Sequence, residues 1–247
     1  MAWYKEWFGE EYLDLYSHRD EPEAEEHVDF VERKLGGGPP PRAVLDLACG
    51  AGRHTAALRN RGYRTLGLDL SLIFLARMRS LGLPQVAGDM RLLPFRGESF
   101  TWVLNFFTSF GYFEGERENF RVLQEIVRVL VPEGRFLIDL MNPGPVLAGL
   151  KQREVQEGDG RRAEIERWYD PATQRVNKRI VVETAGSPGK PGCRRAFLES
   201  VRLYQPDEVM IGLRWAGLEV DGLYGNFQGD PYERDSERLI LLGHKPA

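Results

Sequence analysis

Cysteine is nearly missing from this chain. Two occur in 247 residues, Cys49 and Cys193, neither in a Cys-x-x-Cys pair nor beside a histidine at metal-ligand spacing. That argues against a disulfide scaffold and a structural zinc, and no metal site is expected. No apolar run approaches the roughly 20 residues of a bilayer span, so no membrane partner is expected either. An excess of positive charge is also lacking: 33 Lys and Arg face 37 Asp and Glu, for a formal net charge of −4. Such a balance gives no general attraction to phosphate backbones, so a small-molecule partner is favoured over nucleic acid. The opening residues, Met1 to Glu11, lack the basic start and apolar core of an export signal, which points to the cytoplasm. Internal repeats and low-complexity tracts are missing too, and nothing indicates an oligomeric state.

What is present suits one α/β domain with an elaboration, 42% hydrophobic and 28% charged. Residues 1–38 read as an N-terminal helical segment of two short helices, with Tyr12, Leu15 and Tyr16 on one face. Gly36-Gly37-Gly38-Pro39-Pro40-Pro41 then marks a linker. From residue 39 to 150, short apolar runs alternate with amphipathic segments, as in βα units that build a parallel sheet. Strands are predicted near 43–48, 64–69, 85–87, 102–107 and 135–140, with helices near 53–61, 72–81 and 116–130. Residues 151–205 switch to period-two alternation, seen at Ile165, Val176, Ile180, Val182, Phe197, Val201 and Leu203, and predict an antiparallel β insertion. Its turns are signalled at Asp170-Pro171-Ala172-Thr173 and Gly186 to Gly192. A helix over 206–216 and two closing strands, 218–224 and 238–243, return to the first domain. The fold class is therefore α/β: a Rossmann-like, seven-stranded, mostly parallel sheet with helices on both faces, plus the insertion.

The chemistry-bearing signal is the turn Asp46-Leu47-Ala48-Cys49-Gly50-Ala51-Gly52 at a strand's carboxyl end, opening a helix at Arg53. Ligands of open α/β sheets bind at that edge. Gly50 and Gly52 let the backbone turn tightly and approach a ligand, although a purely structural strand-to-helix turn would look alike. Asp69 ends the next strand about 20 residues on, where a carboxylate can accept both ribose hydroxyls; the competing reading is a helix cap, for which Ser71 is better placed. Two details choose between cofactors. Thr55 stands where a dinucleotide fingerprint wants Gly or Ala. Asp46 would repel a pyrophosphate and attract the ammonium and sulfonium of S-adenosylmethionine.

Val44 to His54 resembles motif I of the class I S-adenosylmethionine-dependent methyltransferases, and the likeness continues through Gly67 to Ser71, Gly88-Asp89-Met90, Leu93-Pro94-Phe95 and Leu130 to Arg135. The branch it resembles is bacterial, acts on small molecules, includes enzymes that methylate amino groups, and carries a similar β insertion. The resemblance implies S-adenosylmethionine as cofactor. By position, Asp46 and the Gly50–Gly52 backbone would hold the methionine portion, Asp69 the ribose, and Asp89 with Met90 the adenine, with Ala48, Arg53 and Leu70 as further cofactor contacts. An N-terminal segment often folds over the cofactor in such enzymes, so Tyr12 and Tyr16 are further contact candidates.

Asn105 to Phe113, too polar in its middle for uninterrupted core, is expected to wall the pocket beside the methyl group, Asn105 and Phe106 included. Such a wall would orient an acceptor nitrogen or oxygen in line with the methyl–sulfur bond. No base is strictly required. Tyr112, His54 and His244, with Tyr12 and Tyr16 behind them, are the groups to inspect as proton acceptors or orienting donors. The insertion holds twelve Lys or Arg against eight Asp or Glu, leaving the remainder of the chain at −8. That basic surplus reads either as a lid that steers an anionic acceptor or as a solvated face. An RNA methyltransferase and a non-catalytic S-adenosylmethionine-binding protein are the alternatives.

Overall fold

The computed structural model describes residues 2–16, 21–36, 43–158, 161–184 and 192–247. Most of the glycine–proline linker and of the Gly186–Gly192 turn lies outside them. Where the sequence suggests two short helices, the N-terminus forms three, the third of 15 residues: α1 (Tyr4–Trp7), α2 (Glu10–Leu15) and α3 (Glu21–Leu35). There follow β1 (Val44–Leu47), α4 (Arg53–Asn60), β2 (Thr65–Asp69), α5 (Leu72–Ser80), β3 (Gln85–Ala87), β4 (Phe100–Asn105), α6 (Glu116–Val129), β5 (Leu130–Met141) and α7 (Pro143–Ala148). Four strands come next, β6 (Arg153–Gly158), β7 (Arg161–Asp170), β8 (Arg175–Thr184) and β9 (Cys193–Arg202), and the chain closes with α8 (Pro206–Ala216), β10 (Glu219–Tyr224) and β11 (Arg238–His244). Among the described residues no helix is long and apolar enough to cross a membrane.

Seven strands form one sheet in the order β10-β11-β5-β4-β1-β2-β3, parallel except at β11. Its inner strands bury both faces, so adjacent residues belong to different cores. Leu45, Val103, Ile138 and Leu241 pack under α6 and α8. Val44, Leu104, Leu137 and Ile240 pack under α3 and α4. Continuous apolar runs are what a sheet covered on both sides requires. The order reverses between β1 and β4, and that switch point opens a crevice at the strand tips.

Strands β6 to β9 form a separate antiparallel meander. The Asp170 carboxylate accepts from the Ala172 amide and the Thr173 hydroxyl, closing the turn between β7 and β8 as its sequence indicates. Ala163, Ile165, Ile180, Val182 and Phe197 supply the sheet's apolar face, and Trp7, with Phe8, Tyr12 and Tyr16, covers it.

Two boundaries depart from the sequence reading for identifiable reasons. β5 starts at Leu130, which already pairs with Phe100; the chain then makes an excursion through Glu133 (φ 61°) and resumes pairing at Arg135. β4 stops at Asn105 because Phe107 and Thr108 take left-handed φ of 62° and 59°, which ends an extended strand.

Candidate functional site

The turn after β1 is built by left-handed backbone at Ala48, Gly50 and Gly52. At Gly52 (φ 88°) a Cβ would lie 2.7 Å from Met78, so glycine is required both by conformation and by the closeness of α5. Gly67, in the middle of β2, is as tightly held: a Cβ there would sit 2.7 Å from Cys49 Sγ and 3.0 Å from Thr55 Oγ1. The turn thus lies directly against the neighbouring strand.

Two carboxylates shape this turn. Asp69 Oδ2 accepts from the Gly50 amide and Oδ1 from the Ser71 amide, both at 2.8 Å, while Ser71 itself caps α5 by accepting from Phe74 N. Each Asp69 oxygen keeps a further lone pair. Asp46 is buried, and its Oδ2 accepts from Thr55 Oγ1 at 2.6 Å. Thr55, which departs from the dinucleotide pattern in the sequence, therefore orients the first acid. Burial pushes Asp46 up to about 7, with the Thr55 hydroxyl opposing and the Asp69 charge adding to the rise. Burial raises Asp69 too, against its backbone hydrogen bonds. Among the described residues no ion pair reaches either acid, so an incoming cation would find two carboxylates held by neutral donors.

These groups line a cavity of about 560 Å³. Of the residues singled out in the sequence, Asp46, Ala48, Gly50, Gly52, Arg53, His54, Asp69, Leu70, Asp89, Met90, Phe106, Tyr112, Tyr12 and Tyr16 all reach it. Asn105 and His244 are not brought to it. Asn105 is buried beneath the wall, where its amide donates to the Leu47 carbonyl (2.8 Å) and Ser109 Oγ (2.6 Å). His244 pairs in register with Arg135, at the opposite end of β5 from the strand tips, and its ring meets Asp221 at 2.9 Å.

The other candidates have specific neighbours. Asp89 is occupied: Arg91 gives its carboxylate the backbone amide and both Nε and Nη2, and the same guanidinium lies 4.2 Å over the Phe113 ring. Burial pushes the Asp89 carboxyl up, but the Arg91 bonds outweigh it and hold it below the ordinary value. His54 is 4% exposed, stacks on Phe106 with ring centroids 4.1 Å apart, and meets His27 Nδ1 through Nε2 at 2.9 Å. Burial lowers His27 to about 3 and holds His54 well below its usual range, with the Arg53 charge adding to both. The pair is neutral at physiological pH.

Sequence reasoning missed Tyr4, Phe8 and Phe74 on the lining, and His27 behind it. A signal existed for two of them: Tyr4, Phe8, Tyr12 and Tyr16 recur every fourth residue, and all four line the cavity although Gly9 interrupts the helix. Phe8 stacks on Tyr112 (5.6 Å, 18°), and its carbonyl accepts from Ser71 Oγ at 2.7 Å. The basic surplus of the insertion is largely paired, in part to the N-terminal helices: Arg161 with Asp14 and Arg195 with Glu11. Complementary charge there docks α2 on the antiparallel sheet.

Arg175, at the start of β8, ties that sheet to the cavity wall. It is 7% exposed and donates to the carbonyls of Gly111 (3.0 Å), Tyr112 (3.0 Å), Phe113 (2.9 Å) and Ser200 (2.6 Å). Burial draws its pKa below the ordinary arginine value. Arg175→Met is expected to cost about 1–3 kcal/mol, because buried carbonyls lose their donors. An unchanged urea midpoint would show that water replaces the guanidinium without loss.

Residues 45–138 match the family model described as a methyltransferase domain. The cypemycin N-terminal methyltransferase of a Streptomyces species is 31% identical over 209 residues, 81% of this chain and 82% of that protein. The chain belongs to the class I S-adenosylmethionine-dependent methyltransferases. A dTDP-3-amino-3,4,6-trideoxy-alpha-D-glucopyranose N,N-dimethyltransferase of Streptomyces venezuelae is 28% identical over 221 residues, covering 87% of this chain and 91% of its own. The CcbJ methyltransferase of Streptomyces caelestis shares the fold, with a TM-score of 0.79, 22% identity and 98% of both chains covered. This methyltransferase takes S-adenosylmethionine as cofactor, and its residues suit that group: left-handed glycines in the turn, and two carboxylates on the cavity lining, chemistry that a cationic tail and a pair of ribose hydroxyls can use.

Proposed function

We propose that this enzyme methylates a nitrogen of a small-molecule amine by direct transfer. The observation that carries the reading is the buried His54–His27 pair. His54 is the imidazole at the cavity, and its burial makes it a poor base. A hydroxyl acceptor needs a base to become nucleophilic, whereas a neutral amine already carries its lone pair. Two relatives named above, which share most of their length with this chain, act on amino groups by name.

In this reading Asp46, oriented by Thr55, holds the ammonium of the cofactor's amino-acid tail, and Asp69 accepts the ribose hydroxyls. Ala48, Gly50, Gly52 and Arg53 surround the tail. Leu70 and Met90 flank the adenine, with Asp89 serving chiefly to keep Arg91 in place. When bound, S-adenosylmethionine supplies an electrophilic methyl on a sulfonium. The chain's contribution is position: Phe106, Phe107, Ser109 and Tyr112 form the wall facing the acceptor, and Tyr12 and Tyr16 shield the cavity from the side of the antiparallel sheet. Helices α1 and α2 and the antiparallel strands act together as a cover over the domain formed by 39–150 and 206–247, into whose core α3 packs. Excluding water and aligning an amine in this way supplies most of the acceleration expected of such a transfer.

The test is methyl transfer from labelled S-adenosylmethionine into a panel of nucleotide-linked amino sugars, peptide N-termini, phenols and carboxylates. Label is expected in amines. Label confined to phenols or carboxylates would refute the nitrogen assignment while leaving the cofactor site intact.

A further inference from the structure

A buried ion pair stands behind the cavity wall, not in it. Asp139 on β5 is 0% exposed, and Arg238 at the start of β11 gives its two carboxylate oxygens Nε and Nη2, each at 2.6 Å. Neither residue lines the cavity. Both are bound to the turn that does. Asp139 Oδ2 accepts from the Phe107 amide at 2.8 Å, and the Asp139 carbonyl accepts from the Thr108 amide at 2.9 Å. Arg238 Nη2 also donates to Thr108 Oγ1 at 3.3 Å, and its guanidinium lies 5.3 Å from the centre of the Phe107 ring. Arg53 approaches the same ring at 5.0 Å.

That turn is strained. Left-handed backbone is sterically unfavourable for an L residue, and a β-branched threonine is among the least suited to it. Phe107 and Thr108 adopt it in succession. Such conformations persist where the surroundings over-determine them, and they cluster where geometry serves function. A buried pair is seldom justified by stability alone, since well-packed apolar residues of similar volume often do as well.

We propose that Asp139 and Arg238 are positioning residues: Arg238 neutralises and aims the Asp139 carboxylate, the aimed carboxylate holds the Phe107–Thr108 turn in its strained form, and the turn sets the wall beside the transferred methyl. This rests on the proposed placement of the methyl at that wall. The consequence is selective. The turn after β1 and the acid at the tip of β2 stand on other strands, so ligands without a substituent at sulfur should not sense the pair.

Two probes separate the effects. S-adenosylhomocysteine has a bare sulfur; sinefungin carries an amine-bearing carbon in place of the methylsulfonium, and so reports on the wall. Calorimetric titration of Arg238→Gln is expected to leave S-adenosylhomocysteine within about twofold of wild type. Sinefungin should weaken about tenfold, the scale of one net hydrogen bond lost at its amine. Adding Thr108→Gly in the same background should recover most of that loss, because glycine takes the left-handed conformation without steric cost. If Arg238→Gln does not fold, Arg238→Lys keeps the charge without the two-pronged contact and should show the same contrast at smaller size. Faster amide exchange at Phe107 and Thr108 than along β5 should accompany it. Equal weakening of both probes, unchanged sinefungin binding, no recovery with Thr108→Gly, or uniform exchange would overturn the proposal. Failure of the wild-type protein to bind S-adenosylhomocysteine would overturn it together with the cofactor placement, and so is distinguishable from the other outcomes.

Discussion

Replacing Asp69 by alanine is expected to weaken S-adenosylhomocysteine binding by about 2–4 kcal/mol, on the order of a hundredfold, measured by calorimetric titration. Two losses combine. A charged acceptor for hydroxyl groups is worth about 1.5–3 kcal/mol. Beyond this, the same carboxylate takes the Gly50 and Ser71 amides at 2.8 Å, joining the turn after β1 to the start of α5. Without it the turn must be ordered by the ligand, which adds a cost on the order of 1 kcal/mol. Asp69→Asn offers a discriminating comparison. Its amide oxygen can keep one of the two backbone amides, but its NH2 would face the other as donor against donor. Binding should therefore fall between wild type and alanine, and an alanine variant with unchanged affinity would remove Asp69 from the site.

How much of this was legible beforehand varies with the physics of each element. α8 was readable to the residue, because Pro206 opens it, Glu208 closes a capping bond to the Gln205 amide at 2.8 Å, and Gly217 (φ 97°) ends it. The glycine turn and the acid at the tip of β2 were readable because local spacing places both at the same sheet edge. The end of β4 was not. Nothing local requires Phe107 and Thr108 to be left-handed; Asp139 and Arg238, far along the chain, impose it. Asn105 misled for a related reason, since a polar residue at a strand tip can face the crevice or brace the neighbouring strand, and here it bonds Leu47. His244 falls at the wrong end of its strand because β11 runs antiparallel to β5, so proximity to the C-terminus gave no clue to depth. The role of Thr55 was half visible: the sequence showed which ligand it disfavours, and only the geometry showed its hydroxyl on Asp46.

That hydroxyl bears on how binding depends on pH. Burial raises the Asp46 carboxyl from 3.8 to about 7 in the ligand-free chain. A carboxyl whose folded value lies above its unfolded one favours the folded state most at low pH, and the benefit is lost as pH rises through about 7. The ligand-free protein should therefore lose this contribution between about pH 4 and pH 7. Binding runs the other way, because a ligand ammonium selects the ionised carboxylate. Affinity for S-adenosylhomocysteine should be flat above about pH 8 and fall about tenfold per unit below 7, reaching roughly a hundredfold at pH 5. Thr55→Val removes the bond that favours the ionised form and should move the midpoint upward. Asp46→Asn should bind weakly and flatten the profile over the same range. A wild-type affinity constant from pH 5 to 8, measured at fixed ionic strength, would show that the ligand ammonium rests elsewhere than on Asp46.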